Sequence, residues 1–445
     1  MDTMRATVLK ELQQALITIS VENKPVQSLV VALSGGKDSV VMLDILACLA
    51  NDNTVFATEL PSLYAYHVNH GLSADADDWE QHCANLCAHR DISFQSISIS
   101  IAHKSRTSLE AQARELRYRR LLEFTKQVDG ALITAHHLHD QVETVLLQLK
   151  RGAGPKGLAG MQPLSYREQV PIIRPMLNVS QDAVNRYALT KKLSWVKDAS
   201  NQDERFERNF LRQTIIPQLE TRWPSLSSAI SRSARFCYEQ ALLLEQETTT
   251  KLGAVQDGSN RLTIAALLEH GELWQKQILR EWLKQFFPLS PSASVLMQIQ
   301  QMLTAREDSQ PLVEIGEFAI RRFKGQLWCT PQFKYLPEQM RFSENGVTLP
   351  LWGTKLTTGS ERPSSTLLKR IRLVTGMPAI KIKPVNKAHH KLFKEWLKEW
   401  EVPPWERLHI PIIFFEEMPI AVCLHDKIMA LQTPADIPAI DFIYK

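Results

Sequence analysis

A short apolar strand running straight into Ser34-Gly35-Gly36-Lys37-Asp38-Ser39 constrains this chain more than any other segment. Val30, Val31, Ala32 and Leu33 precede the turn, and an apolar helical run from Ser39 to Ala50 follows it. In such a strand–turn–helix, backbone N–H groups converge on one spot and the helix N-terminus adds positive potential. A phosphate or pyrophosphate is the natural occupant. Gly35 and Gly36 let the backbone approach an anion without a Cβ clash. Ser34 and Ser39 add hydroxyl donors, and Lys37 adds a positive charge. Asp38 is out of place in a loop that only grips anions, but it fits one where Mg²⁺ sits beside the phosphates. The segment is not a Walker A loop, because Val31 stands where that motif needs Gly and Asp38 where it needs Ser or Thr. It has no Gly-x-Gly-x-x-Gly spacing either.

Around this loop the first 150 residues alternate strand and helix. Strands are expected at Ser28–Leu33, Leu63–Val68, Ser93–Ile101 and Gly130–Ala135, and one more at Val170–Ile173. Helices are expected at Asp75–Arg90, from a Thr107/Glu110 capping box to about Lys126, at Asp140–Lys150 and at Ser180–Lys192. Repeated βα units imply an α/β fold, a mostly parallel sheet covered by helices, with ligands beyond the carboxyl ends of its strands. Residues 224–304 read as helical, 312–336 as β-rich, and the last 80 as mixed α+β with one helix at about Lys387–Trp400. The expected division is 1–220, a nucleotide-binding catalytic domain; 221–336, mainly helical; and 346–445, mixed α+β.

Composition excludes several classes. No run approaches the roughly 18 apolar residues of a membrane span, since Asp44 interrupts Val40–Ala50. The first 25 residues, with Lys10 and Glu11 in an amphipathic pattern, do not resemble a signal peptide. Six scattered cysteines give no disulfide framework and suggest a reducing, cytoplasmic setting. His82-Cys83 through Cys87 and His89 have donors at helical spacing but lack the Cys-x₂-Cys pairs of structural zinc.

Three further groups invite chemistry. After the fourth strand, Asp140, Glu143 and Thr144 share a helical face, and the carboxylate pair suits Mg²⁺ or an amine. Arg114 and Arg117, at i and i+3, suit a phosphate, whereas Arg119 and Arg120 read equally as solvated charge. Near the C-terminus, residues 369–398 hold nine Lys/Arg and one acid, Glu395. On the expected helix Lys387, Lys391, Lys394 and Lys398 form one stripe, with Phe393, Trp396 and Trp400 roughly opposite. A basic face backed by aromatics suits a nucleic-acid backbone.

SGGKDS resembles the loop of the PP-loop ATP pyrophosphatases. Three more segments resemble the tRNA(Ile)-lysidine synthase family within them. These are His67-Val-Asn69-His70-Gly71-Leu72, then Ala135-His136-His137-Leu-His139-Asp140-Gln141-Val-Glu143-Thr144, and Trp195 to Asp203 with Arg208-Asn209-Phe-Leu-Arg212 behind it. The chain departs from the family at His139, where Asp is common, and at Lys197, where an acid is common. The resemblance implies a Rossmann-like, adenine nucleotide alpha hydrolase-like domain followed by two smaller ones. It implies adenylation of the wobble cytidine of tRNA(Ile) with a CAU anticodon, then displacement of AMP by L-lysine, so that reading changes from AUG to AUA. ATP and Mg²⁺ would be the cofactors. Ser34, Gly35, Gly36, Lys37, Asp38 and Ser39 would hold ATP. Asp38, His136, Asp140 and Arg114 would be catalytic, with Asp38 and Asp140 on the metal. Glu143, Arg208, Arg212 and the four lysines would contact substrates. No membrane partner is implied, and a homodimer is left open. The competing readings are a PP-loop tRNA thiolase, which would want paired reactive cysteines, and an RNA-binding protein with a dead nucleotide domain.

Overall fold

The computed structural model describes residues 3–22, 25–52, 61–71, 73, 75–99, 109–198, 203–289, 291–306, 309–332, 339–343, 345–349, 354–359, 364–434, 437 and 440–444. They divide into two compact units, Met1–Gln246 and Glu247–Lys445. Leu72, Ser200, Asn201, Thr107 of the expected capping box, and Glu338 and Glu344 of the linker expected at Glu338–Asn345 lie outside the described residues, and the rest of that linker includes a short strand at Gln339–Arg341.

The first unit opens with α1 (Thr3–Glu22), then β1 (Ser28–Ala32), α2 (Lys37–Ala50), β2 (Ser62–Asn69), α3 (Ala76–Ala88) and β3 (Ser93–Ser98). It continues with α4 (Leu109–Gln127), β4 (Gly130–Ile133), α5 (Leu138–Lys150), α6 (Pro155–Leu158), β5 (Leu164–Arg167), β6 (Val170–Ile173) and α7 (Gln181–Thr190). After these come α8 (Glu207–Phe210), a π-helical turn at Leu211–Ile215, α9 (Ile216–Arg222) and α10 (Leu226–Val255), which spans the division. The sheet order is β3-β2-β1-β4-β6-β5, parallel except for β5 against β6. The chain winds outward from β1 to β3 and then crosses to β4 on the other side. The switch point therefore lies between the carboxyl ends of β1 and β4, where such sheets leave a crevice.

Alternation within the strands divides the core. Leu29, Val31, Ala131, Ile133 and Ile173 face the side covered by α1, α2 and α7. Val30, Leu132, Val170 and Ile172 face Tyr118, Leu121, Leu122 and Phe124 of α4. Both faces are buried, which is why these strands read as continuous apolar runs. Asp44, buried within α2, accepts Arg90 Nε and Nη2 at 3.1 and 2.9 Å and Tyr187 OH at 3.0 Å. The interruption of the apolar run is thus a satisfied internal charge.

The second unit contains β7 (Leu262–Thr263), α11 (Ile264–Leu268), α12 (Glu272–Lys284), α13 (Ala293–Leu303), β8 (Leu312–Ile315), β9 (Phe318–Phe323) and β10 (Gln326–Pro331), with sheet order β7-β10-β9-β8. Trp282, fully buried, anchors this core and donates Nε1–H to Asn260 O at 2.8 Å. Next come β11 (Gln339–Arg341), β12 (Val347–Leu349), β13 (Thr354–Thr358), α14 (Ser365–Leu368), β14 (Ile371–Val374), β15 (Lys381–Ile382) and β16 (Lys391–Leu392). The chain ends with α15 (Phe393–Glu399), β17 (Ile412–Phe415), β18 (Met418–Cys423), β19 (Ile428–Ala430) and β20 (Phe442–Tyr444). A five-stranded sheet, β11-β14-β17-β18-β19, forms the largest part.

The helix expected at Lys387–Trp400 is shorter than that, Phe393–Glu399. It begins only at Phe393, where Glu395 accepts the Leu392 N–H at 3.2 Å. Lys391 and Leu392 instead pair with Ile382 and Lys381 as a short antiparallel ladder. The four lysines therefore do not share one helical face. Only Lys394 and Lys398 lie on α15.

Candidate active site

The loop after β1 is shaped by its glycines. Gly35 has φ +81°, and a Cβ there would meet Val196 Cγ2 at 2.9 Å and Cys83 Sγ at 3.1 Å. Its carbonyl accepts Val196 N–H at 3.0 Å. Only glycine satisfies both the conformation and the close packing. Ser39 Oγ donates to Gly36 O at 2.8 Å, accepts Ser34 N–H at 3.2 Å and lies 3.1 Å from Ser34 Oγ. The hydroxyls thus tie the turn to the first turn of α2, where N–H groups lack intrahelical acceptors. Lys37 and Asp38 open that helix.

The loop after β4 meets it across the switch point. His137 is the N-cap of α5, and its N–H donates to Asp140 Oδ2 at 2.9 Å. His137 Nδ1 accepts His139 N–H at 3.2 Å, so its proton sits on Nε2. Nε2 is buried without a well-directed acceptor, 3.7 Å from Asp38 Oδ2 and 3.4 Å from Asp140 Oδ2. Gln181 of α7 adds Nε2–H to Asp38 Oδ1 at 3.3 Å. Burial raises the Asp38 pKa, but His137, Gln181 and Lys37 outweigh it and hold Asp38 below its ordinary value. Burial works against a charged His137, and the two carboxylates reverse that, so its pKa rises.

Glu143, fully buried one turn on, is gripped from the far side. Arg212 donates Nε–H to Glu143 Oε1 at 2.6 Å and Nη2–H to Glu143 Oε2 at 3.1 Å and to Asp140 Oδ1 at 2.7 Å. Arg208 reaches Glu143 Oε2 at 3.4 Å and Thr144 Oγ1 at 3.3 Å. Burial raises the Glu143 pKa more than Arg212 lowers it. Arg212 lies on the π-helical turn, an irregularity that frequently marks functional sites.

Asp38, Asp140, Glu143, Arg208 and Arg212 thus converge as expected residues of one cluster, with both arginines already paired inside it. His136 sits beside it, with Nδ1 2.9 Å from Thr134 Oγ1. Burial, and then Arg174, Arg114 and Arg117 against the pull of Asp140, push its pKa down to about 3. Arg114 is exposed, 5.8 Å from the Tyr118 ring centroid. His139 points elsewhere, with Nε2 3.0 Å from Glu220 Oε1. His137 and Gln181 are participants that sequence reasoning left unassigned. His137 had a signal, since it precedes Asp140 by three in the spacing of a capping box. Gln181, 143 residues from Asp38, had none.

Asp38 and Asp140 present oxygens to either side of one imidazole, a donor set that fits Mg²⁺ completed by phosphates. Among the described residues no group of three or more His, Cys, Asp or Glu is arranged to hold a metal alone. Cys83 and Cys87 are buried free thiols, pushed up to about 12 and about 11 chiefly by burial, and so remain protonated. No helix among the described residues is long and apolar enough to cross a membrane.

In the second unit Lys387 and Lys391 donate to Glu399 at 2.9 and 2.6 Å, their ammonium groups 5.6 and 4.9 Å from the Trp396 ring centroid. Trp396 itself is buried and stacks on Trp400. Lys394 and Lys398 are exposed.

The chain matches known families over much of its length. Residues 5–219 match the family described as PP-loop domain, 262–328 the TilS substrate binding domain, and 371–425 the TilS substrate C-terminal domain. The chain is 36% identical over 422 residues to a tRNA(Ile)-lysidine synthase of Histophilus somni (strain 2336), covering 92% of this chain and 96% of that relative. It is 35% identical over 397 residues to the tRNA(Ile)-lysidine synthase of Idiomarina loihiensis, covering 88% and 86%. Among solved structures it overlays on the U34-tRNA thiolase NcsA from Methanococcus maripaludis at a TM-score of 0.43 and 20% identity, over 53% of this chain and 80% of that one, a likeness that bears no weight. By its sequence and by the domains it contains, this chain belongs to the tRNA(Ile)-lysidine synthase family.

Proposed function

We propose that the chain ligates L-lysine to the 2-position of the wobble cytidine of tRNA(Ile) with a CAU anticodon, consuming ATP and releasing AMP and pyrophosphate. The observation that carries this reading is the meeting of Asp38 from the phosphate loop with His137, Asp140 and Glu143 at one switch point. A phosphate-binding turn there faces a carboxylate cluster suited to an amine.

Ser34, Gly35, Gly36, Lys37 and Ser39 would receive the pyrophosphate end of ATP. Asp38 and Asp140 would hold Mg²⁺, which when bound spreads the charge of the leaving group. The cytidine 2-carbonyl oxygen attacks the α-phosphorus, pyrophosphate leaves, and the lysine side-chain amine then displaces AMP at that carbon. The attacking amine must shed a proton. Glu143, whose proton affinity burial raises, is the base of this cluster. His137 Nε2 stands between Asp38 and Asp140 and keeps the two loops together. His136, kept neutral, would offer a hydrogen bond rather than a charge. The target base must leave its stack, as an anticodon loop permits.

We assign 1–220 to the catalytic domain, 221–336 to the central domain and 346–445 to tRNA binding in the cytoplasm. Incubation of the full chain with ATP, labelled L-lysine and a panel of tRNAs tests the reading. Label should enter tRNA(Ile) with a CAU anticodon in step with pyrophosphate release. Pyrophosphate release without lysine incorporation refutes it.

A further inference from the structure

Beside His136 the site changes sign. Arg174 follows β6 at the same end of the sheet and is only 8% exposed. Its Nη1 donates to Gln162 O at 2.8 Å and Ser165 Oγ at 2.9 Å, while its Nε is buried with no acceptor. Arg117 on α4 is half-buried, and its Nε is likewise buried with no acceptor. Arg114 and Arg117 both lean on the buried Tyr118 ring, 5.8 and 5.9 Å from its centroid. Arg167 touches the same ring at 5.3 Å but is neutralised by Glu115 at 2.7 Å. Among the described residues, no carboxylate pairs with Arg114, Arg117 or Arg174.

The guanidinium groups of Arg117 and Arg174 lose hydration with no paired carboxylate among the described residues, and the exposed Arg114 adds like charge beside them. Cation–π contact with Tyr118 offsets only part of this. The simplest relief is an incoming anion. Two N–H groups already desolvated and lacking acceptors mark where its oxygens would go. The chemistry suits phosphate, since guanidinium forks match its oxygens.

We propose that Arg117 and Arg174, with Arg114, form a phosphate site separate from the Ser34–Ser39 loop. It rests on the reading above, and the phosphate belongs either to the RNA backbone beside the target cytidine or to the α-position of the nucleotide.

The test uses the full chain with Arg117→Gln and Arg174→Gln. Melting temperature without ligand, ATP affinity without RNA, and tRNA affinity across a salt series are measured. Arg117→Gln should melt no lower than wild type, because it removes repulsion. It should also weaken one ligand about tenfold or more. Weaker tRNA binding with a shallower salt slope assigns the RNA phosphate. Weaker ATP binding with unchanged tRNA affinity assigns the nucleotide. If Arg174→Gln misfolds through loss of its Gln162 and Ser165 bonds, Arg117→Gln alone decides. Affinities within about twofold of wild type for both ligands, or a lowered melting temperature, overturn the proposal. Lysidine formation by the wild type is followed in parallel. Lysidine made with binding unaffected in Arg117→Gln removes this site alone. No lysidine, with binding weakened, removes the functional reading and leaves the phosphate site.

Discussion

His137 Nε2 stands between Asp38 Oδ2 and Asp140 Oδ2, at 3.7 and 3.4 Å, and so joins the loop after β1 to the loop after β4. Residues 99 positions apart or more are thereby placed around one imidazole, and three of the predictions below depend on that convergence or its surroundings.

Asp38→Ala should abolish turnover, by about a thousandfold or more, the scale seen when a charge-stabilising group is removed. Stability should drop by no more than about 1 kcal/mol, the worth of an acid in a helix's first turn. Turnover at saturating ATP and circular dichroism check both. Near-normal turnover would remove Asp38 from the site.

His139→Asp should keep most activity, whereas Asp140→Ala should lose nearly all of it. His139 faces Glu220, away from Asp38. An aspartate there meets a like charge and should cost some stability without touching the chemistry. Asp140→Ala should also lose about 1 kcal/mol, because Asp140 completes the α5 cap. Turnover and urea unfolding of both variants distinguish the cases, and equal loss of activity would contradict the geometry.

Lys394→Glu with Lys398→Glu should weaken tRNA binding and flatten its salt dependence by about two counterions, leaving ATP affinity unchanged. Lys387→Glu with Lys391→Glu should act mainly on local stability, since those side chains are tied to Glu399 and cover Trp396. Fluorescence titration at several salt concentrations separates the pairs. Equal effects on binding would restore a single four-lysine surface.

His136 should stay neutral from pH 5 to pH 8 in the folded protein, because burial and the neighbouring arginines push it from 6.5 down to about 3. The unfolded chain takes up this proton below about 6.5 and the folded one does not. Its contribution to stability is therefore complete above about 6.5 and is lost as pH falls toward 3. Imidazole chemical shifts report the titration directly, and a midpoint near 6.5 would mean that His136 is solvated.

The strands, the phosphate loop and the Asp140–Glu143 face were legible because each is local: an apolar run, a glycine turn, a helical spacing. The β5–β6 hairpin was not, since its turn uses Glu168 and Gln169 at φ +49° and +67° in place of the usual Asn or Gly. The lysine stripe misled for the opposite reason. Its i, i+4, i+7 spacing is helical, yet Lys391 and Leu392 complete a ladder with β15, and the helix waits for Glu395 to cap it. Contacts made at a distance in sequence, such as Gln181 with Asp38 or Arg212 with Asp140, leave no periodic trace.

The packing beneath Gly35 limits how far this enzyme can be shortened or rebuilt. Val196 lies more than 160 residues along the chain, beyond the last strand of the sheet, yet its side chain and N–H form the floor of the nucleotide loop together with Cys83. A fragment ending after α7 would keep every strand of the six-stranded sheet and the whole SGGKDS string but lose that floor. Transplanting the loop into another scaffold would carry the recognisable letters and leave behind the residue that sets their shape.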